Sequence, residues 1–323
     1  MPIKPGVPAP NLAGRMGLED LREQGGVTYR ELRSRSLLNK CDSPRMPFTW
    51  TVNPYRGCSM GCRYCYATYT HEFMGIATPE AFHSLVYVKT GAEAETARRL
   101  ARVVRRGERI ALGTATDPYQ PAEAQARVTR RFLELVAQHR SVRLGIVTKG
   151  ALVLRDLQLL QRIHSRSELT VNVSLVTPHA PLARRLDPWA PPPDVRIEVM
   201  RRLVEAGIEV SLGLAPVLPG INDDERSLDL LLGRVAAAGV RRMFSNVLFL
   251  RSPTREKFFR WLAADFPAHV EAYARAYAGR VYLRGRYRDQ IDARVRALKL
   301  RHGFRDRDGD EAADPEQMAL FPR

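Results

Sequence analysis

Cys58-Ser-Met-Gly-Cys62-Arg-Tyr-Cys65 packs three cysteines into one loop, spaced C-x3-C-x2-C, with an aromatic residue, Tyr64, directly before the third. Thiolates this close can each grip a different iron of one cubane. Three of them leave one iron of a four-iron cluster without a protein ligand, and a small chelating molecule can take that corner. The loop therefore reads as a catalytic cluster site with Cys58, Cys62 and Cys65 as metal ligands. A structural zinc with Cys41 or His71 as fourth ligand is one alternative, although zinc sites usually present two ligand pairs and no second pair exists here. A conventional cluster completed by Cys41 is another. Four cysteines in 323 residues, three of them adjacent, do not make a secreted disulfide framework.

Working outward, residues 48–52 alternate like a strand that feeds the cysteine loop. Short apolar strands are expected at 109–114, 142–148, 169–175, 208–215 and 242–250. Helical spacing fills 121–139, 152–163, 194–206 and 223–237, with Asp194 as an N-cap and Gly207 as a stop. Strands alternating with helices of about a dozen residues imply right-handed βαβ units and a parallel sheet. The expected fold is α/β, a partial (β/α)6 parallel barrel over 46–250. Residues 1–45 read as a partly disordered arm with a short helix near 17–24. Residues 251–304 read as a helical extension, with helices over 254–278, a strand at 281–283 and a basic helix to 300. Residues 305–323 read as a flexible tail.

The net charge is +16 and the sequence pI is near 10.2. Such a surplus favours phosphate-rich partners. Only six residues are lysine, at 4, 40, 89, 149, 257 and 299, and arginine supplies the rest. Abundant Arg and Ala also fit a GC-rich coding sequence, so charge alone names no ligand. No apolar run approaches the roughly 20 residues of a membrane span, and the N-terminus lacks a signal pattern. A cytoplasmic location and no membrane partner are expected.

The cysteine run resembles the signature of the radical S-adenosylmethionine (radical SAM) superfamily. The wider stretch Thr51-Val-Asn-Pro-Tyr-Arg-Gly-Cys-Ser-Met-Gly-Cys-Arg-Tyr-Cys-Tyr-Ala67 resembles the branch related to spore photoproduct lyase, often labelled DNA repair photolyases. The resemblance implies a [4Fe-4S] cluster, SAM as cosubstrate or cofactor, a reductant such as flavodoxin or ferredoxin, and lyase-like radical chemistry. In parallel barrels functional groups gather at the C-terminal strand ends. There, Gly113-Thr-Ala-Thr-Asp-Pro-Tyr-Gln-Pro-Ala-Glu123 matches the branch's Thr-Asp-Pro-Tyr-Gln-Pro stretch. By resemblance, Thr114, Thr116 and Asp117 hold the amino and carboxylate ends of the methionine moiety and Lys149 suits its carboxylate. Ser174 bonds the ribose, the backbone near Tyr64 meets the adenine, and the loop 216–222 packs near the adenosyl group. Turn, cap and strand-end roles remain the plain alternatives for these residues.

The resemblance breaks at one place. Spore photoproduct lyase uses a further cysteine as hydrogen donor, and here only Cys41 lies outside the cluster loop, upstream of the barrel. Thymine-dimer reversal therefore does not carry over, and no catalytic residue or substrate is assigned. Nucleic acid is the substrate class that the charge suggests. Near the C-terminus, Gln317-Met-Ala-Leu-Phe321 resembles the Q-x-x-L-F peptide that docks on bacterial sliding clamps, with Gln317, Leu320 and Phe321 as contacts. A rival reading is a nucleic-acid-binding or clamp-associated accessory protein whose iron–sulfur or zinc site is structural.

Overall fold

The structure, a computed structural model, describes residues 26–305 apart from 45 and 77. Its strands are β1 (Thr28–Arg33), β2 (Leu38–Lys40), β3 (Trp50–Val52), β4 (Tyr55–Arg56), β5 (Leu85–Thr90), β6 (Arg109–Leu112), β7 (Arg143–Thr148), β8 (Glu168–Ser174), β9 (Glu209–Val217) and β10 (Arg242–Val247). The main sheet runs β10-β9-β8-β7-β6-β3-β2. Its first six strands are parallel, and β2 pairs antiparallel with β3. Six parallel strands in chain order, joined by helices, are the α/β core of six βα units expected from the sequence. A second sheet, β1-β5-β4, joins the early chain to the cysteine segment.

Along β7, buried Leu144, Ile146 and Thr148 alternate with half-buried Arg143, Gly145 and Val147, the period-2 pattern of a strand with one face fully covered. One continuous core runs from Val52 and Leu100 through Ile146, Val171 and Leu212 to Phe258 and Val295. The helices Thr254–Asp265 and Arg286–Arg301 therefore pack into the same core as the barrel. Burying each such side chain contributes roughly 1.5–3 kcal/mol.

Several boundaries differ from the sequence expectation. Described residues 28–33 and 38–40, expected to belong to a loose arm, are strands. The segment 121–139 is two helices, Glu123–Ala126 and Val128–Val136, broken at Arg127 with φ 51°. The break has a cause. The buried Glu123 carboxylate accepts from Thr129 N at 2.9 Å and Arg130 N at 3.1 Å, capping the second helix from the first. Residues 151–156 form a 3-10 turn before the helix Leu157–His164. Asp194 is not an N-cap. Its helix begins at Pro193, a residue suited to a first turn, and Asp194 pairs with Arg234 at 2.6 Å. The next helix begins at Glu225, capped by Asp224, whose carboxylate accepts from Ser227 N at 2.8 Å.

The segment 254–278 divides into Thr254–Asp265, a 3-10 turn and Val270–Ala276. The strand expected at 281–283 is a single bridge between Phe249 and Tyr282. The helices Ala81–Ser84 and Glu93–Arg105 and strand β5 were not anticipated. The helix expected at 17–24 and the clamp-like residues Gln317, Leu320 and Phe321 lie outside the described residues.

Glu123 also accepts from Tyr55 Oη and from Arg155 Nη2 at 2.8 Å, so it joins β4 to the barrel. Glu123→Ala should cost about 3–5 kcal/mol in urea unfolding, because a fully buried acceptor of several donors is lost. Glu134→Ala, which removes an exposed partner of Arg130, should cost under about 1 kcal/mol.

Candidate active site at the cysteine loop

β3 ends at Val52, and the chain crosses the C-terminal end of the sheet before the cysteines. Two glycines make the loop's path possible. Gly57 has φ 88°, and a Cβ there would sit 2.6 Å from Leu85 O; Gly61 has φ 72° and would meet the Trp189 ring at 2.5 Å. Side chains and backbone from separate elements then fix the loop. Thr116 Oγ1 donates to Gly57 O at 2.6 Å, and Gln120 Oε1 accepts from Ser59 N at 3.0 Å. Cys58 N donates to Phe82 O, and Arg63 N to Leu186 O, both at 2.9 Å. His83 Nδ1 donates to Cys58 O at 2.8 Å, and Thr254 Oγ1 to Cys65 O at 3.0 Å.

All four cysteines among the described residues are free thiols. Cys58 and Cys62 are buried, Cys65 is half-buried, and Cys41 lies at the end of β2. Burial pushes the Cys58 thiol up to about 12, with Asp117 and Cys65 adding to the effect. Burial likewise raises Cys62 and Cys65. Without a metal these thiols stay protonated; a bound cation displaces such protons. Among the described residues, no three His, Cys, Asp or Glu side chains converge on a point that could hold one metal ion. A cluster in which each thiolate takes its own iron needs no such convergence. Asp117 N donates to Cys58 Sγ at 3.4 Å. Buried thiols on one loop, one already accepting from a backbone amide, fit an iron–sulfur cluster.

A buried ion-pair system stands beside Cys62. Asp187 accepts from Tyr64 Oη at 2.6 Å and pairs with Arg196 Nη1 at 3.0 Å. Arg196, 1% exposed, also donates to Ser174 O at 3.0 Å and Pro191 O at 2.6 Å. Burial alone would raise Asp187, but Lys149 and Arg196 outweigh it and hold the carboxyl below its ordinary range. Lys149 Nζ lies 5.5 Å from the centre of the Tyr64 ring. Burial opposes its charge, yet Cys62 and Asp187 raise its pKa above the ordinary lysine value.

The residues expected to hold SAM gather at the ends of β6, β7 and β8, but not all have polar atoms to spare. Asp117 accepts from Tyr119 N at 2.9 Å, Thr148 Oγ1 at 2.7 Å and Lys149 N at 2.7 Å. Thr116 donates to Gly57 O and accepts from Gln120 Nε2 at 3.0 Å. Thr114 Oγ1 accepts from Asn53 Nδ2 at 3.1 Å, and its carbonyl accepts from Tyr66 Oη. The Tyr64 side chain is spent on Asp187. The Lys149 ammonium makes no hydrogen bond among the described residues, and neither does the Ser174 hydroxyl. In the loop after β9, Asn222 spends its amide on Leu218 N at 2.6 Å and Val176 O at 2.7 Å, which is turn chemistry. Sequence reading missed His83, Gln120, Asp187, Arg196, Thr254 and Lys257. For Lys257 a signal existed: it falls on the apolar stripe Thr254, Phe258, Trp261 and Leu262.

A sequence model described as Radical SAM superfamily matches residues 52–231. The uncharacterised protein Rv2578c of Mycobacterium tuberculosis is 37% identical over 300 residues, covering 92% of this chain and 87% of the relative. The uncharacterised protein MJ0683 of Methanocaldococcus jannaschii is 24% identical over 240 residues, covering 72% and 83%. Among solved structures, a spore photoproduct lyase variant with bound AdoMet and a dinucleoside spore photoproduct superposes with a TM-score of 0.66 at 15% identity. It covers 86% of this chain and 81% of that one, a likeness of fold.

Asp187→Ala should cost about 3–5 kcal/mol in chemical unfolding of the metal-free protein, because it leaves a buried guanidinium unpaired. Glu198→Ala, which removes an exposed partner of Arg201, should cost under about 1 kcal/mol. Equal effects would mean that Arg196 finds another partner.

Proposed function

Because the chain belongs to the radical SAM superfamily, we propose that this enzyme holds a [4Fe-4S] cluster on Cys58, Cys62 and Cys65, cleaves SAM reductively and abstracts a hydrogen atom from a nucleic-acid substrate. The observation that carries the reading is the place of the three thiols, on one loop that follows β3 and is held by groups after β6 and β8, at the C-terminal ends of parallel strands. When bound, the reduced cluster would supply the one electron that reductive cleavage of the SAM sulfonium needs, and SAM would supply the 5′-deoxyadenosyl group that takes the hydrogen atom.

The chain's own residues bind, orient and exclude water. Lys149 offers an unspent ammonium for the methionine carboxylate, and Ser174 an unspent hydroxyl for the ribose. Thr116 and Asp117 act one step back, because their polar atoms already hold the Gly57 carbonyl and the start of the segment after β7. Thr114 and the backbone at Tyr64 border the same space. The net charge of +16 supports a phosphate-bearing substrate. The solved spore photoproduct lyase, with its bound dinucleoside, supports a substrate built of nucleosides. Dimer reversal itself is not proposed, since the cysteine that donates hydrogen there has no counterpart at the matching position. A flavodoxin or ferredoxin would supply the electron. Among the described residues no helix is long and apolar enough to cross a membrane.

Dithionite-reduced protein incubated with SAM should release 5′-deoxyadenosine. Its complete absence from iron-loaded protein sinks the reading. Single Cys58, Cys62 or Cys65→Ala variants should lose most bound iron and all SAM cleavage, whereas Cys41→Ala keeps both. Loss of the cluster in Cys41→Ala would instead establish a four-cysteine site.

Binding titrations separate the pocket residues. Lys149→Ala should weaken SAM binding about 10- to 100-fold, the loss of one charge-assisted hydrogen bond at roughly 1.5–3 kcal/mol. Asp117→Ala should lower the melting temperature as well, since three donors lose their acceptor. Unchanged affinity in Lys149→Ala returns that lysine to a structural role.

A further inference from the structure

Thr254–Asp265 is the helix that follows β10, and it reaches the cysteine loop directly through Thr254 and indirectly through His83. Thr254 Oγ1 lies 3.0 Å from Cys65 O and 2.7 Å from Thr68 Oγ1. One turn on, Lys257 is 6% exposed and its Nζ contacts His83 Nε2. The protonation pattern of this contact follows from its partners. A carbonyl only accepts, so His83 Nδ1, 2.8 Å from Cys58 O, carries the proton. An amine is a stronger base than an imidazole, so in this contact His83 Nε2 accepts and the ring is neutral. The hydrogen between His83 and Lys257 therefore belongs to lysine.

That ammonium has no anion of its own among the described residues. Asp187 is paired with Arg196, Asp117 is filled by three donors, and Glu80 is exposed and bonded to Arg260. Burial lowers the Lys257 pKa, while Cys65 and Cys62 are the neighbours that favour its charge most. An uncompensated buried cation is costly unless an anion is placed against it. The thiol set becomes such an anion when it binds iron, and more so when the bound cluster gains an electron.

Resting on the cluster reading above, we propose that Lys257 is the built-in counter-charge of the iron–sulfur cluster, a positioning residue aimed by neutral His83 that favours the reduced state and raises its reduction potential. A point charge at fixed distance in a poorly polarisable site acts more strongly than the same charge in water. It also acts equally with or without SAM, which separates it from Lys149 on the cofactor side.

The test uses the full chain, loaded with iron and sulfide under anaerobic conditions, as wild type, Lys257→Gln, Lys257→Met and Lys257→Arg. Gln retains a donor for His83 without charge, Met retains the aliphatic stem, and Arg retains the charge. Iron content and midpoint potential are read without SAM. The expected result is a shift to more negative potential in the Gln and Met variants, with Arg close to wild type. Loss of iron from both neutral variants but not from Arg also supports a counter-charge. Wild-type potentials in the Gln and Met variants overturn the proposal, as does loss of iron from all three variants, which marks a packing role. A wild type that takes up no iron overturns the cluster reading and this inference with it.

Discussion

The backbone of the cysteine loop cannot hold itself. Between Gly57 and Cys65 it makes one internal backbone bond, from Cys65 N to Cys62 O at 3.3 Å, and it belongs to no helix or strand. Its remaining bonded polar groups are satisfied from beyond the loop, by Thr68 just past it, Thr116 and Gln120 after β6, Phe82 and His83 before β5, Leu186 and Trp189 after β8 and Thr254 beyond β10. Each contact costs little alone, about 0.5–1.5 kcal/mol net. Together they mean that the thiols keep their places only when the whole sheet and its C-terminal extension are assembled. The second sheet has the same logic, since β4 leads into the loop and is pinned by β5 and, through Tyr55, by Glu123.

The βα rhythm was legible because the parallel strands are short runs with buried apolar positions, and the helices between them show a 3.6-residue spacing. What escaped notice depended on side-chain and strand partners that spacing does not reveal. β1 contains Arg30, Glu31 and Arg33, which read as a polar arm until β5 is found beside it in parallel register. The helix break at Arg127 is set by Glu123, which looks like an ordinary helical residue until its carboxylate is seen capping the following segment. The helix expected from residue 223 begins at Glu225, a difference of two residues that spacing alone does not resolve.

The site divides the same way. The proposed metal ligands were readable because they are local in sequence. The proposed cofactor residues were assigned by resemblance, which does not say whether a polar atom is already used. Asp117 and Lys149 were given equal standing, but one accepts three hydrogen bonds and the other keeps its ammonium unbonded. Asp187, Arg196 and His83 could not be found from sequence, since their meaning lies in contacts spanning 9, 22 and 25 positions, and Lys257 reaches across 174.

The choice between the two basic residue types then has a physical reading. Arginine dominates the surface, where its fork pairs with carboxylates one turn away, as Arg201 does with Glu198 and Glu205. It is also used inside where several acceptors must be met at once, as Arg196 meets Asp187, Ser174 O and Pro191 O. Lysine is rare, yet Lys149 and Lys257 both lie within electrostatic reach of Cys62, one from the end of β7 and one from the extension. A compact ammonium on a flexible stem leaves no donors fixed in a plane, so it can face an anion without dictating its shape. Two such point charges beside the cysteine loop would stabilise added negative charge there while leaving the loop's own hydrogen bonds intact.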